Sequence, residues 1–225
     1  MSRLIVVGDS HARALALGAT ALGYDTLSYA TSAAVWRDGV VRLRADGTLA
    51  SERPRARANI AAFSKEVGAE SPLTSGAPVV ASVGYHASQF QTDMRMAKLG
   101  LTTASSKSAQ SLLSPAFLAA WLKEARHEAL EGLATIAAAA PLVVVTPPMF
   151  QPNPLLAALN EALSALIRAQ GLPLYDPNTA LAGKDGTLPH KFAHDDAKHG
   201  NAAFGTAVFK DLLRLKLIAK PKSKK

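Results

Sequence analysis

Apolar residues in this chain fall in short runs that end on glycine or proline, and these runs alternate with longer stretches of helical period. Residues 3–7 carry a nearly continuous apolar run closed by Gly8, which predicts a strand buried on both faces. The Ala/Leu-rich stretch 11–22, stopped by Gly23, predicts a helix. Residues 25–30 predict a second strand, and the alternation over 40–49, with Asp46-Gly47 inside it, predicts a hairpin. A helix over 55–67 ends at Gly68. Strand signals recur at 78–83 before Gly84, at 142–145 before Thr146-Pro147-Pro148, and at 172–175 before Asp176-Pro177. Pro115 opens one long helix with Leu118, Trp121, Leu122, Ala125, Ala129, Leu130 and Leu133 at helical spacing. Residues 154–170, followed by Gly171, and residues 204–217 predict two more. The Ser/Thr-rich stretch 102–114 predicts a loop or a short helix.

Strands alternating with helices imply an α/β fold: a parallel five-stranded sheet between two helical layers. In such sheets ligands bind beyond the carboxyl ends of the strands. Attention therefore falls on Gly8-Asp9-Ser10-His11, Gly84-Tyr85-His86, Thr146-Pro147-Pro148-Met149, and the chain from Asp176 onward to Asp196 and His199.

Composition narrows the chemistry. The chain has 225 residues and no cysteine, which excludes disulfides, thiolate zinc sites and a cysteine nucleophile. Its length predicts one domain over residues 1–219, with extra chain around 36–70 and a disordered basic tail over 220–225. Four of the net +8 charges are Lys220, Lys222, Lys224 and Lys225 in that tail. Arg37, Arg42, Arg44, Arg53, Arg55 and Arg57 form a second basic cluster. Aromatics are only 6% and no nucleic-acid motif is present, so both clusters are taken as solvated surface and no nucleic-acid partner is expected. The longest apolar run, residues 136–145, is interrupted by Pro141, so no membrane partner is expected. The four apolar residues before Gly8 are too few for a signal-peptide core, which predicts a cytoplasmic protein.

Two segments could carry chemistry. Ser10 lies between the first strand and the first helix, where it is either an ordinary helix N-cap or a nucleophile at a positive helix end. The segment His194-Asp195-Asp196-Ala197-Lys198-His199 is either an Asp/His-rich surface loop or a base with its orienting acid. An Asp three residues before a His can reach imidazole Nδ1 within one turn of chain, leaving Nε2 free to take a proton from a serine. A metal site using His190, His194, Asp195, Asp196 and His199 is the alternative, but the spacing fits no standard zinc pattern. The first turn lacks the Lys and second Gly of a phosphate loop, so no cofactor is expected. Ala12 replaces the second glycine that a Gly-x-Ser-x-Gly elbow requires, which excludes the α/β-hydrolase arrangement.

Gly8-Asp9-Ser10 after the first strand, together with Asp196-x-x-His199 before the last helix, resembles the GDSL/SGNH hydrolase superfamily. The resemblance runs over nearly the whole chain and includes the 185–188 Asp-Gly-Thr-Leu run. It implies a flavodoxin-like three-layer α/β/α sandwich and a serine esterase acting on small acyl esters, acetyl groups on carbohydrate foremost. The implied partner is a small-molecule or carbohydrate acyl ester. On the same resemblance Ser10 is the nucleophile, His199 the base and acid, and Asp196 its orienter, while Asp9 supports the turn structurally. The family's oxyanion hole combines the serine N–H, a glycine from a second block and the asparagine of a Gly-x-Asn-Asp block. Here Gly84 and His86 of Gly84-Tyr85-His86-Ala87 take that third place, with His86 where asparagine is usual. The second block, residues 30–36, has no glycine, and Gly39 comes late. An acyltransferase on the same three residues, or a binding module that keeps the fold without turnover, are the other readings. Trp121 is expected in the core, His127 on the surface, and Met94 and Met96 in a packed lid.

Overall fold

The chain begins in β1 (Arg3–Gly8) and α1 (Ser10–Ala21), followed by β2 (Asp25–Ala30) and α2 (Ala33–Arg37). The structure is a computed structural model that describes residues 3–85, 114–183 and 187–221. A two-stranded hairpin, β3 (Arg42–Leu43) and β4 (Leu49–Ala50), leads to α3 (Pro54–Val67) and then β5 (Val79–Ser82). After it come α4 (Pro115–Ala125), α5 (His127–Ala139), β6 (Leu142–Val145), α6 (Pro154–Ala169), β7 (Leu174–Tyr175), α7 (Pro177–Ala180) and α8 (Ala202–Arg214).

The central sheet has the order β2-β1-β5-β6-β7 and every pairing in it is parallel. This is the flavodoxin-like order, whose switch point lies between β1 and β5. The inner strands β1, β5 and β6 carry almost no polar residues because both of their faces are buried, whereas the edge strand β2 keeps Asp25, Thr26 and Ser28. Leu4 and Val6 of β1 pack with Val80, Val143 and Val145 under α1 and α8, against Leu15, Phe204, Phe209 and Leu212. Their neighbours Ile5 and Val7 point the other way, with Val79, Ala81 and Val144, onto a layer that includes Phe63 of α3, Leu122 of α4, Ile136 of α5 and Leu163 of α6. The period of two is thus present inside an unbroken apolar run.

Two expectations are corrected. The long helix expected from Pro115 is two helices, separated at Arg126, whose backbone leaves the helical region at φ −120°, ψ 9°. The break lets the Arg126 side chain turn inward, where its Nε donates to the Gly84 carbonyl at 2.9 Å. The fifth strand is two residues long rather than four, because only Leu174 and Tyr175 reach the register of Val144 and Val145. Trp121 is partly buried against the core and His127 is exposed.

The Asp46-Gly47 hairpin forms as expected. Gly47, at φ +79°, donates to the Arg44 carbonyl at 2.9 Å, and Asp46 Oδ1 accepts from the Thr48 N–H at 2.9 Å. The hairpin lies against α5, where Thr135 Oγ1 donates to the Ala45 carbonyl at 2.6 Å. Residues 102–113, Met94, Met96 and His86 lie outside the described residues. Among the described residues, no helix is long and apolar enough to cross a membrane.

Candidate active site

The turn after β1 is held from three directions. A Cβ on Gly8 would stand 2.5 Å from the Ser82 carbonyl oxygen, so only glycine lets β1 and β5 approach this closely. The Gly8 carbonyl accepts from the Thr31 N–H at 3.2 Å and from the Trp36 indole N–H at 3.0 Å. The Asp9 N–H donates to the Ser82 carbonyl at 3.4 Å. Asp9 is buried and caps α1, its Oδ1 accepting from the His11 N–H at 3.0 Å. Asp9, not Ser10, is therefore the N-cap residue, and Ser10 becomes the first residue of the helix, with its hydroxyl free for other work. Burial pushes the Asp9 carboxyl up, opposed by the charge of His11 and the His11 N–H.

The second half of the site is a tight turn. The His194 N–H donates to the His199 carbonyl at 2.7 Å, the Ala197 N–H donates to the His194 carbonyl at 2.9 Å, and Ala197 takes φ +53° between them. Asn201 anchors the turn to α8. Its Oδ1 caps the helix at Phe204 N (3.1 Å), and its Nδ2 donates to the carbonyls of Lys191 and Ala193, both at 2.9 Å.

Inside this turn Asp196 Oδ1 accepts from the backbone N–H groups of Lys198 (2.9 Å) and His199 (3.0 Å), while Oδ2 bonds His199 Nδ1. The His199 ring hydrogen bond first, and then the two backbone N–H groups, hold the Asp196 carboxyl well below the usual carboxylate range. With Nδ1 occupied by an anion, His199 Nε2 faces Ser10 Oγ at 2.7 Å. The structure thus brings together Ser10, Asp196 and His199, three of the residues singled out in the sequence. Asp196 and His199 remain partly exposed, so the arrangement opens to solvent at the carboxyl ends of the strands.

Gly84 follows β5 with φ +91°, in the left-handed region that favours glycine. It lies two residues beyond Ser82, which pairs with Gly8, as Ser10 lies two residues beyond Gly8. The Tyr85 hydroxyl shares a 2.9 Å hydrogen bond with Ser164 of α6, and burial raises its pKa well above the ordinary phenol value. His86 lies outside the described residues.

Three residues of the site surroundings went unrecognised in the sequence. His11 places its ring 5.0 Å from that of His199, and burial pushes its imidazole pKa down. Trp36 holds the Gly8 carbonyl, and Arg126 holds Gly84. The first had a signal, its adjacency to Ser10. The other two had none, because their contacts span long stretches of chain.

Among the described residues, no three His, Asp or Glu side chains gather as ligands for a metal ion. No known protein-family description matches the chain, and no curated protein does so either. Solved structures do. A G-D-S-L family protein from Desulfitobacterium hafniense DCB-2 superposes with a TM-score of 0.50 at 11% identity, covering 96% of this chain and 99% of that one.

The fold is that of the GDSL/SGNH hydrolases.

Two further structures align at similar coverage. A lipase/acylhydrolase from Enterococcus faecalis has a TM-score of 0.47 and 15% identity, covering 99% of this chain and 100% of that one. An acetylxylan esterase from Geobacillus stearothermophilus has a TM-score of 0.45 and 12% identity, covering 99% and 97%. Within the GDSL/SGNH fold, Ser10 and the 194–199 turn lie at the carboxyl end of the sheet, where the switch-point rule puts a ligand.

Proposed function

We propose that this chain is a serine esterase of SGNH type that hydrolyses small acyl esters, with acetyl esters on carbohydrate as the substrate class. The observation that carries this reading is the Ser10 Oγ to His199 Nε2 contact of 2.7 Å, with Asp196 on the opposite ring nitrogen.

In this mechanism Ser10 Oγ attacks the ester carbonyl carbon while His199 Nε2 takes the hydroxyl proton. The carbonyl π electrons move to oxygen, forming a tetrahedral oxyanion beside the α1 N-terminus. The Ser10 N–H, the Gly84 turn and His86 serve as donors to it. The intermediate collapses, the alkoxide leaves with the proton from His199, and the acyl group stays on Ser10. Water, deprotonated by His199, then attacks the acyl-enzyme and returns Ser10 to its hydroxyl form. Asp196 stays anionic throughout and stabilises the imidazolium that forms in each half-reaction.

Ser10→Ala and His199→Ala are each expected to lower turnover of a chromogenic acetyl ester by about 10⁶-fold, because the groups act as a unit. A fluorophosphonate probe should label wild type stoichiometrically at Ser10. Unchanged turnover in Ser10→Ala, or no labelling of the wild type, would refute the esterase reading.

A further inference from the structure

Among the described residues the fold buries two charged side chains, Asp9 and Arg126. Burying a charge is costly unless its hydrogen bonds are satisfied, so the placement of such groups points to a task. Both are found at the switch point. Asp9 caps the helix after β1, and Arg126 bonds the turn after β5.

We propose that Arg126 is a positioning residue for the oxyanion side of the site. This deepens the esterase reading and rests on it. The Arg126 guanidinium fixes the Gly84 carbonyl by a buried 2.9 Å hydrogen bond from Nε. That carbonyl and the Tyr85 N–H belong to one planar trans peptide and point in opposite directions, so anchoring one orients the other. A charge-assisted bond to the carbonyl also polarises the peptide and strengthens its N–H as a donor.

The surrounding geometry is built for this contact. The chain breaks a helix at Arg126, giving up helical dihedrals where α4 passes into α5. Nη1 donates to the Ala125 carbonyl at 3.2 Å, and the guanidinium carbon stands 6.0 Å from the Trp121 ring centroid. One residue beyond Gly84, the Tyr85 hydroxyl is bonded to Ser164, so the turn is clamped from the α4–α5 break and from α6. Gly84 itself, at φ +91°, is held in a conformation that L side chains rarely adopt.

The experiment compares full-length wild type, Arg126→Ala, Arg126→Lys and Ser10→Ala. Its readouts are the rate of fluorophosphonate labelling, kcat and KM on a chromogenic acetyl ester, and the pH dependence of kcat/KM. Arg126→Ala is expected to slow both labelling and kcat by about 10- to 100-fold, the scale of a misplaced donor. KM should change less than about threefold, as befits an interaction made in the transition state. Arg126→Lys keeps the charge but not the fork and should recover part of the rate. Added methylguanidine should restore labelling of Arg126→Ala and leave Ser10→Ala unlabelled. The acid limb of the pH profile should stay in place. Labelling of a folded Arg126→Ala protein within about twofold of wild type would overturn the positioning role. A rate loss that methylguanidine does not restore, with a shifted acid limb, would overturn it as well. Failure of wild type to label at Ser10 is a different result, which removes the esterase reading itself.

Discussion

Gly205 of α8 presses against the backbone of α1 so closely that a Cβ built on it would stand 1.8 Å from the Ala14 carbonyl oxygen. The reciprocal glycine, Gly18, would place a Cβ 2.1 Å from the Gly205 carbonyl carbon. This crossing matters beyond packing, because α1 starts at Ser10 and α8 starts three residues after His199. Two helices in backbone contact carry the two halves of the site.

Gly205→Ala is therefore expected to force the helices apart. It should cost about 1–3 kcal/mol of stability, the usual scale of overpacking. It should also lower kcat more than a distant substitution of equal destabilisation, since a shift between α1 and α8 lengthens the Ser10–His199 contact. Denaturant titration and steady-state kinetics on the same preparation check both. A loss of stability with unchanged kcat would break the link between crossing and site.

Asp196→Asn keeps the side-chain shape but removes the anion on His199 Nδ1. An amide can present its NH₂ to the ring and favour the tautomer that leaves Nε2 protonated toward Ser10. The expected loss in kcat is about 10³- to 10⁴-fold with little change in KM. A loss below about tenfold would mean that Asp196 does not set the ring state.

The rate should fall on acidification with unit slope in log kcat/KM. Asp196 stays ionised, because the His199 ring and the backbone N–H groups of His199 and Lys198 hold its carboxyl below the ordinary range. His11 contributes no second proton, because burial pushes its imidazole pKa down and the charge of His199 adds to that, against Asp9 and Asp196. The loss then follows a single proton. A limiting slope of two in the same range would show His11 titrating with it.

Asp9→Asn tests the buried carboxyl. Burial raises its pKa in the folded state, so between the unfolded and folded values the native protein holds more protons than the unfolded chain. The contribution of Asp9 to stability is full at low pH and is lost as pH rises through the folded value. Asparagine keeps the cap on the His11 N–H without the charge. The difference in Tm between Asp9→Asn and wild type should therefore grow in favour of the variant from about pH 4 upward. A pH-independent difference would contradict the raised carboxyl.

Asn178 ties down the chain after β6. Its Oδ1 accepts from the Met149 N–H at 2.7 Å, and its Nδ2 donates to the Pro147 carbonyl at 2.9 Å. Asn178→Ala leaves both groups without that partner and should cost about 1–3 kcal/mol. Urea unfolding measures it directly, and a change within experimental error would show that water replaces the side chain.

Local pattern was enough for most of the sheet. β1, β5 and β6 are apolar runs closed by Gly8, Gly84 and Pro147-Pro148, β2 is a mixed run before a polar turn, and all four appear where the pattern puts them. The break at Arg126 was not legible. Leu118, Leu122, Leu130 and Leu133 keep a helical period across it, and the buried carbonyl that Arg126 bonds lies 42 residues earlier in the chain. The short β7 was overextended for a related reason. Its length depends on how far β6 offers partners, which no local window records.

Sequence by itself determined the alternating α/β order, the residue types for a serine, histidine and aspartate constellation, and the three-residue spacing that lets Asp196 reach the His199 ring. These are properties of neighbours along the chain, governed by side-chain period and local turn chemistry. Only the tertiary structure decided that Ser10 meets His199, 189 residues away, and that Asp9 takes the capping role, leaving the serine hydroxyl to that contact. It also decided that Arg126 turns inward onto Gly84. Those outcomes depend on the close crossing of α1 and α8 at glycine and on the burial of two charges at the switch point. Both follow from packing between distant segments, where the energy of a contact is not written in either segment alone.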